Sequence, residues 1–264
     1  MDLELHGKVV VITGGGLGIG AAIAHACAAE GAIPVVINND AGPVQANLDV
    51  MRSKGQRFGF YPMWLNSPET CRTAVEKTIA EFGRIDALVN NIGVNDGVGL
   101  EHGTPERFLD SVEKNLWHYY SMAHFCLPWL KQARGSIVNT ASKVAVTGQG
   151  GTSGYAAAKG AQLALTREWA VELAPYGVRV NAVLPSEVWT PAYESWLETF
   201  AKPEEKKAAI VKNIPLESRM TTPSEIASAV VFLLSGRSSH TTGQHVFVDG
   251  GYVHLDRAST AYRP

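Results

Sequence analysis

Short runs of apolar, often β-branched residues alternate along the chain with longer segments of helical periodicity. This alternation is typical of a parallel sheet covered by helices on both faces. Residues 186–215 show no strand pattern, and we interpret them as a helical insertion over the site at the carboxyl ends of the strands. The predicted strands lie near 8–13, 33–38, 58–62, 86–90, 135–141, 178–184 and 244–248, and the predicted helices near 18–30, 42–54, 68–82, 105–131, 154–175 and 222–235.

A glycine-rich turn and an alanine-rich helix directly follow the first predicted strand. The glycines are Gly14, Gly18 and Gly20 after Thr13, and the helix stops at Gly31. Glycines let the backbone approach a pyrophosphate, and the N-terminus of the helix attracts its negative charge. The spacing differs from the common G-x-G-x-x-G fingerprint. The order of strand, turn and helix therefore carries the prediction of a dinucleotide site.

A tyrosine and a lysine four residues apart form the candidate acid/base pair. Tyr155 and Lys159 share one face of a predicted helix, and Ser142 follows an apolar strand thirteen residues before the tyrosine. A neighbouring ammonium lowers the pKa of a phenol, which otherwise lies near ~10. On its own the Tyr/Lys spacing is typical of any exposed amphipathic helix, so it gains weight only with the serine and the glycine turn.

These motifs together resemble the short-chain dehydrogenase/reductase family over nearly the whole chain. The resemblance implies one domain spanning 1–264, a Rossmann-type three-layer α/β sandwich with a seven-stranded parallel sheet. Ile92 and Ser186 stand where the family usually has alanine and glycine. The matching segments are 13–20, Asn90-Asn91-Ile92-Gly93, Asn115, Ser142, Tyr155, Lys159, 180–185 and 247–251.

The resemblance also implies hydride transfer between a nicotinamide and a carbon bearing oxygen, with the protein moving the proton. Tyr155 would be the general base, Ser142 would hold the same substrate oxygen, and Lys159 would lower the tyrosine pKa and contact the nicotinamide ribose. Asn115 would position a water that links Lys159 to solvent. The implied cofactor contacts are Gly14, Leu17, Gly18, Ile19, Asn38, Leu65, Asn91, Gly93, Tyr155, Lys159, Pro185, Val188 and Thr190.

Neither residue that marks the choice of dinucleotide in the family is present. Asn38 replaces the acidic residue that repels a 2′-phosphate, and Asn39 replaces the arginine that attracts one. Asp40 would add repulsion if its loop turned inward, so NAD is favoured and NADP stays open. Trp64 is expected either to pack on the adenine or to lie in the core.

Composition narrows the class of protein. A net charge of −2 without a basic cluster argues against nucleic-acid or anionic-membrane partners, and no apolar run approaches the ~18 residues of a spanning helix. The acidic first residues are unlike a signal peptide, so a cytoplasmic location is predicted. Cys27, Cys71 and Cys126 lack metal-ligand spacing and are expected to be buried thiols; no metal site is predicted.

The loops expected around the substrate are rich in amide, carboxylate and hydroxyl groups, which suits a sugar. Segments 95–97, 146–150, 166–170 and 249–258 further resemble the bacterial L-fucose dehydrogenase branch, whose members oxidise an anomeric hydroxyl to a lactone. The predicted sugar contacts are Asn95, Ser142, Gln149, Tyr155, Glu187 and Trp189. The alternatives are a 3-oxoacyl carrier-protein or general carbonyl reductase, and a non-enzymatic dinucleotide-binding protein. The family further implies a homotetramer. The polar tail after Gly251 is expected to reach a site in the same or a neighbouring subunit.

Overall fold

All seven strands run parallel in one sheet, with the order β3-β2-β1-β4-β5-β6-β7. The computed structural model describes residues 2–42 and 44–255. The strands are β1 Val9–Thr13, β2 Ile33–Asn38, β3 Gly59–Pro62, β4 Ala87–Asn90, β5 Ser136–Thr140, β6 Arg179–Pro185 and β7 His245–Val248. Each predicted strand is confirmed to within two residues at either end.

Eight α-helices of four or more residues connect or follow the strands in the described part of the chain. They are α1 Gly18–Ala29, α2 Gln45–Ser53, α3 Pro68–Phe82, α4 Pro105–Ala133, α5 Ser153–Leu173, α6 Pro191–Leu197, α7 Pro203–Val211 and α8 Pro223–Leu234. The six helices that the sequence predicts correspond to α1–α5 and α8. The inferred insertion contains the short helices α6 and α7, so its helical character is confirmed.

Two apolar layers bury the two faces of the sheet. Val10 and Ile12 of β1 pack toward α1, α2 and α8, whereas Val9 and Val11 pack toward α3, α4 and α5. This alternation follows from the two-residue period of a strand. Because both faces are covered, the strand reads as one continuous apolar run rather than as an alternating pattern. The fold is therefore a three-layer α/β sandwich, as expected.

Two other expectations can be compared with the described residues. Cys27, Cys71 and Cys126 are free and buried, as predicted. None of the described helices is long and apolar enough to cross a membrane. The tail after Gly251 is predicted to reach a site in the same or a neighbouring subunit, and residues 256–264 of this tail lie outside the described residues.

Candidate active site

The carboxyl ends of β1 and β4 lie where the strand order reverses in the middle of the sheet, which in open α/β sheets is the ligand-binding crevice. Gly14 follows β1, and Asn91 and Gly93 follow β4. The Asn91 side chain donates from Nδ2 to the carbonyl oxygens of Thr13 (3.2 Å) and Gly14 (3.1 Å). This amide ties the two strand ends together and fixes the start of the glycine turn.

The glycine turn has no space for side chains. Gly14 adopts φ +62, which favours glycine, and a Cβ placed on Gly20 would lie 2.0 Å from the Gly14 carbonyl oxygen. A Cβ on Gly18 would lie 3.4 Å from the Thr190 side chain, so the turn faces the segment after β6. The structure thus brings together Gly14 and Gly18 of the glycine turn, Asn91 and Thr190 from three separate parts of the sequence.

This crevice fits a dinucleotide. The bare glycine backbone and the N-terminus of α1 suit a pyrophosphate. Ser186 Oγ is buried and has no hydrogen-bond partner among the described residues, so it is a polar group available to a ligand. Leu65 and Val188 are buried, whereas Leu17 is 42% exposed at the N-cap of α1. The individual contacts of these residues with the cofactor stay predictions.

The loop after β2 borders the glycine turn. Asn38 donates from Nδ2 to the Asp40 carbonyl oxygen (3.2 Å), and Asp40 Oδ1 accepts from the Gly42 amide (2.9 Å). One carboxylate oxygen of Asp40 is therefore engaged within its own loop. Trp64 is 61% exposed, so the expectation that it lies in the core is wrong; its use as an adenine platform stays a prediction.

Tyr155 and Ser142 meet at the carboxyl end of β5. Ser142 caps the 3-10 turn Lys143–Ala145 by accepting from the Val144 amide (3.4 Å), and Tyr155 lies in the first turn of α5. Desolvation raises the pKa of the half-buried Tyr155 phenol, while a hydrogen bond from Ser142 lowers it. The serine and tyrosine hydroxyls therefore adjoin each other, as the sequence predicts.

Lys159 is 2% exposed, deep beside this pair, with Nζ 5.5 Å from the centre of the Tyr155 ring. Its ammonium donates to the Thr140 carbonyl oxygen (2.7 Å) and Gln162 Oε1 (3.2 Å). Burial lowers the pKa of Lys159 to about 7. The expected fall in the Tyr155 pKa is not seen in this structure, because desolvation outweighs the favourable contacts of the phenol.

Gly93 and Asn115 close the deep side of the site. A Cβ on Gly93 would lie 3.1 Å from Lys159 Nζ and 3.2 Å from Asn115 Oδ1, so this position requires a close approach of the backbone. The buried Asn115 side chain bonds to both Val94 amide and carbonyl (2.8 and 3.0 Å) and to the Ser111 carbonyl (2.8 Å). Asn115 thus fixes the loop after β4; its role with water stays a prediction.

A charged cluster that the sequence analysis did not anticipate lies beside Ser142. Lys143 forms an ion pair with Glu187, and the two side chains are only 8% and 14% exposed. Tyr193 donates its hydroxyl to Glu187 Oε2 (2.5 Å), and Lys143 Nζ lies 4.0 Å from the centre of the Tyr252 ring. Lys143 directly follows Ser142, the predicted catalytic serine, and this position is the one signal in the sequence that could have indicated the cluster.

The remaining predicted sugar contacts lie on three different segments. Asn95 and Gln149 are exposed, and Asn95 Oδ1 accepts from the Gly97 amide (3.4 Å). Trp189 is half-buried, with Lys207 Nζ 3.9 Å from the centre of its ring. Glu187 contacts Lys143, the residue that directly follows Ser142. The sugar contacts themselves stay predictions.

Comparison with known proteins identifies the family. Residues 15–253 match a family model described as enoyl-(acyl carrier protein) reductase. The 3-oxoacyl-[acyl-carrier-protein] reductase FabG of Thermotoga maritima is 36% identical, covering 95% of this chain and 100% of its own. The L-fucose dehydrogenase of Bos taurus is also 36% identical, covering 95% and 91%. The crystal structure of the Cj0485 dehydrogenase superposes with a TM-score of 0.93 at 47% identity, covering 98% of each chain.

The chain belongs to the short-chain dehydrogenase/reductase family. It is therefore an NAD(P)-dependent oxidoreductase that acts on CH–OH groups. The relatives include both a sugar dehydrogenase and an acyl carrier-protein reductase at equal identity, so the choice of substrate depends on this chain's own site.

Proposed function

We propose that the protein is an aldose 1-dehydrogenase that oxidises the anomeric hydroxyl of L-fucose or a close stereochemical relative to the lactone. The observation that carries the proposal is the buried Lys143–Glu187 ion pair with Tyr193, next to Ser142. Sugar hydroxyls both donate and accept hydrogen bonds, so they can pair with the donors and acceptors of this charged cluster. The bovine relative named L-fucose dehydrogenase supports the same substrate class.

An acyl chain is a poor fit for this charged cluster. Apolar groups placed against a buried ion pair would exclude water without replacing its hydrogen bonds, which costs ~1–3 kcal/mol for each unsatisfied polar group. Lys206 and Lys207 of α7, of which Lys207 lies near Trp189, directly follow Glu204 and Glu205, so this segment is not a purely basic patch of the kind that would attract an acidic carrier protein. Reduction of 3-oxoacyl groups on a carrier protein, the activity for which the FabG relative is named, is therefore the second candidate function.

In this mechanism NAD(P) bound at the glycine turn would supply the acceptor for the hydride of the anomeric carbon. Tyr155 takes the proton from the anomeric hydroxyl as the C–H bond breaks, and Ser142 donates a hydrogen bond to the same oxygen. Lys159 stabilises the phenolate when it is charged, and it would hold the nicotinamide ribose. Proton transfer by a positioned side chain is typically worth ~10²–10⁴-fold in rate.

The cofactor is held by the glycine turn, Asn91, Gly93 and the segment from Pro185 to Thr190. NAD is the favoured dinucleotide, because Asn38 can bond a ribose hydroxyl and no arginine stands at position 39 to bind a 2′-phosphate. Asn95, Gln149 and Trp189 complete the proposed sugar site together with Glu187.

We also propose a homotetramer located in the cytoplasm. The outer faces of α4 and α5 expose several large apolar side chains, a pattern that suits contact between subunits. These side chains are Leu109 (65% exposed), Tyr120 (57%) and Val171 (77%). Light scattering after size-exclusion chromatography tests the assembly: a mass near four times 28.3 kDa is expected, and a monomer would contradict it.

The deciding assay follows the absorbance of the reduced cofactor on a panel of aldoses, with NAD and NADP in separate series. Turnover of L-fucose and of D-arabinose, which share ring stereochemistry, is expected, with NAD preferred. No turnover of any aldose, together with reduction of 3-oxoacyl thioesters or simple ketones, would establish the reductase instead.

A further inference from the structure

Gln162 lies completely buried between the catalytic lysine and the longest helix of the protein. It is 0% exposed and follows Lys159 by three residues on α5, so both side chains lie on the face of α5 that packs against α4. No motif in the sequence marked this glutamine. A buried primary amide needs partners for both its oxygen and its nitrogen.

The two neighbours of Gln162 fix the orientation of its amide. Lys159 Nζ can only donate, and it lies 3.2 Å from Oε1. The main-chain carbonyl of Asn115 can only accept, and it lies 2.7 Å from Nε2. Reversing the amide would place donor against donor and acceptor against acceptor. The side chain therefore forms a directed link from the Lys159 ammonium to the backbone of α4.

We propose that Gln162 is a positioning residue that holds the Lys159 ammonium in register with Tyr155 through the carbonyl of Asn115. The proposal rests on the acid/base role of Tyr155 and Lys159 in the proposed function. The same Asn115 side chain fixes the loop after β4, so one link couples the lysine, helix α4 and the loop that carries Gly93.

The groups that face Lys159 explain why this link matters. Tyr155 lies on its own helix, the Thr140 carbonyl lies on β5, and Tyr119 (Oη at 3.4 Å) and His118 lie on α4. Burial lowers the pKa of His118 to about 4, and the charge on Lys159 contributes to this fall, so the imidazole is neutral near pH 7. The ammonium is therefore stabilised by neutral dipoles, and the Gln162 oxygen is one of its two closest acceptors.

Two substitutions separate positioning from simple packing. Gln162→Met keeps the length of the side chain and removes both hydrogen bonds, whereas Gln162→Glu keeps an acceptor for Lys159 and adds a negative charge. We expect Gln162→Met to lower kcat about 10- to 100-fold, the range for a lost hydrogen bond to a charged group. Gln162→Glu should retain more of the activity.

The pH dependence of kcat gives the signature that a structural role would not produce. In this proposal the alkaline limb of the kcat profile reports loss of the proton from Lys159. Removing the acceptor favours neutral Lys159, so in Gln162→Met this limb should move to lower pH. A carboxylate at the same place favours the ammonium, so in Gln162→Glu this limb should move to higher pH. Opposite shifts support the proposal. Shifts in one direction, or an unchanged limb and kcat in Gln162→Met, would overturn it.

Thr166→Val is the matched control. Thr166 lies one turn further along α5, donates from Oγ1 to the Gln162 main-chain carbonyl (2.8 Å) and accepts from Asn139 Nδ2 (3.0 Å), so valine removes two buried hydrogen bonds and leaves the side-chain amide of Gln162 with its partners. It should lower the melting temperature and leave the alkaline limb in place; a shift like that of Gln162→Met would refute a specific role for the amide.

A separate readout keeps this proposal distinct from the sugar assignment. Binding of the reduced dinucleotide is titrated by fluorescence in the absence of substrate, and Gln162→Met should weaken it several-fold through the displaced Lys159. If the wild-type protein turned over no aldose, the sugar assignment would fail. The kinetic comparison would then use the alcohol or ketone that it accepts. Unchanged dinucleotide affinity together with unchanged kcat in Gln162→Met would refute the positioning role of Gln162 and leave the sugar assignment untouched.

Discussion

The buried ion pair between Lys143 and Glu187 supports the clearest stability prediction. Replacing Lys143 by methionine keeps the length of the side chain and leaves the Glu187 carboxylate with Tyr193 as its partner. Breaking a buried pair from one side costs ~3–5 kcal/mol, because an uncompensated charge remains. Since the two side chains are 8% and 14% exposed, we expect the lower end, about 3 kcal/mol.

The double variant Lys143→Met/Glu187→Gln tests the origin of that cost. It removes both charges, and the glutamine oxygen still accepts from Tyr193, so about 2 kcal/mol should be recovered. With an unfolding entropy of roughly 2.1 cal/mol/K per residue over 264 residues, 3 kcal/mol corresponds to a fall of about 5 °C in melting temperature. The double variant should fall by only about 2 °C.

Calorimetry at one fixed protein concentration measures these shifts, because association of subunits also changes the melting temperature. Lys202→Met is the matched control, since Lys202 and Glu205 form a pair in which each side chain is 70% exposed. Exposed pairs contribute little, so its melting temperature should stay within about 1 °C of the wild type. If Lys143→Met were as stable as Lys202→Met, or the double variant less stable than the single one, the reasoning would be refuted.

Four further predictions concern the cofactor and the acid/base pair. Tyr155→Phe should abolish turnover and keep dinucleotide affinity; near-normal turnover would contradict the mechanism. Gly20→Ala should weaken dinucleotide binding at least about 100-fold in a calorimetric titration, because its Cβ would lie 2.0 Å from the Gly14 carbonyl oxygen. Asn38→Asp should raise the NAD/NADP ratio of kcat/KM about tenfold or more, and an unchanged ratio would place Asn38 away from the ribose. With the Lys159 pKa at about 7 in the folded protein, the unfolded chain binds more protons above pH 7. Stability in denaturant should therefore rise between about pH 7 and 8.5, by at most ~1.4 kcal/mol per pH unit, and Lys159→Met should remove this slope.

The strands could be predicted closely because a buried parallel strand has a simple pattern. The run 33–37 is apolar throughout, and 178–184 contains only two polar positions, Arg179 and Asn181, between Gly177 and Pro185; such boundaries limit the ends of a strand. The short helices α6 and α7 could be anticipated only as a helical insertion. Neither buries more than a few side chains, so their periodicity is weak.

Pairings between distant residues account for what the sequence could not provide. Lys143 and Glu187 are separated by 44 positions, and only the parallel pairing of β5 with β6 brings their strand ends together. In the sequence, Gln162 cannot be distinguished from other interior positions of a helix, because its partner Asn115 lies on α4. Trp64 was expected on an adenine or in the core because large aromatics are often buried. Its exposure depends on how the loop after β3 is directed, which composition does not specify.

The electrostatics of Lys159 show how the fold changes what the motif alone predicts for the pKa of the tyrosine. The sequence places an ammonium beside a phenol, and that pairing alone lowers the pKa of the phenol. The fold then buries the ammonium, whose hydrogen-bond partners in the described residues are a carbonyl, an amide and a phenol rather than a carboxylate. Burial without an opposite charge destabilises the charged form, so the pKa of Lys159 falls to about 7. Its charge can therefore change near neutral pH. Such a costly arrangement is typical of a functional lysine rather than of one that stabilises the fold.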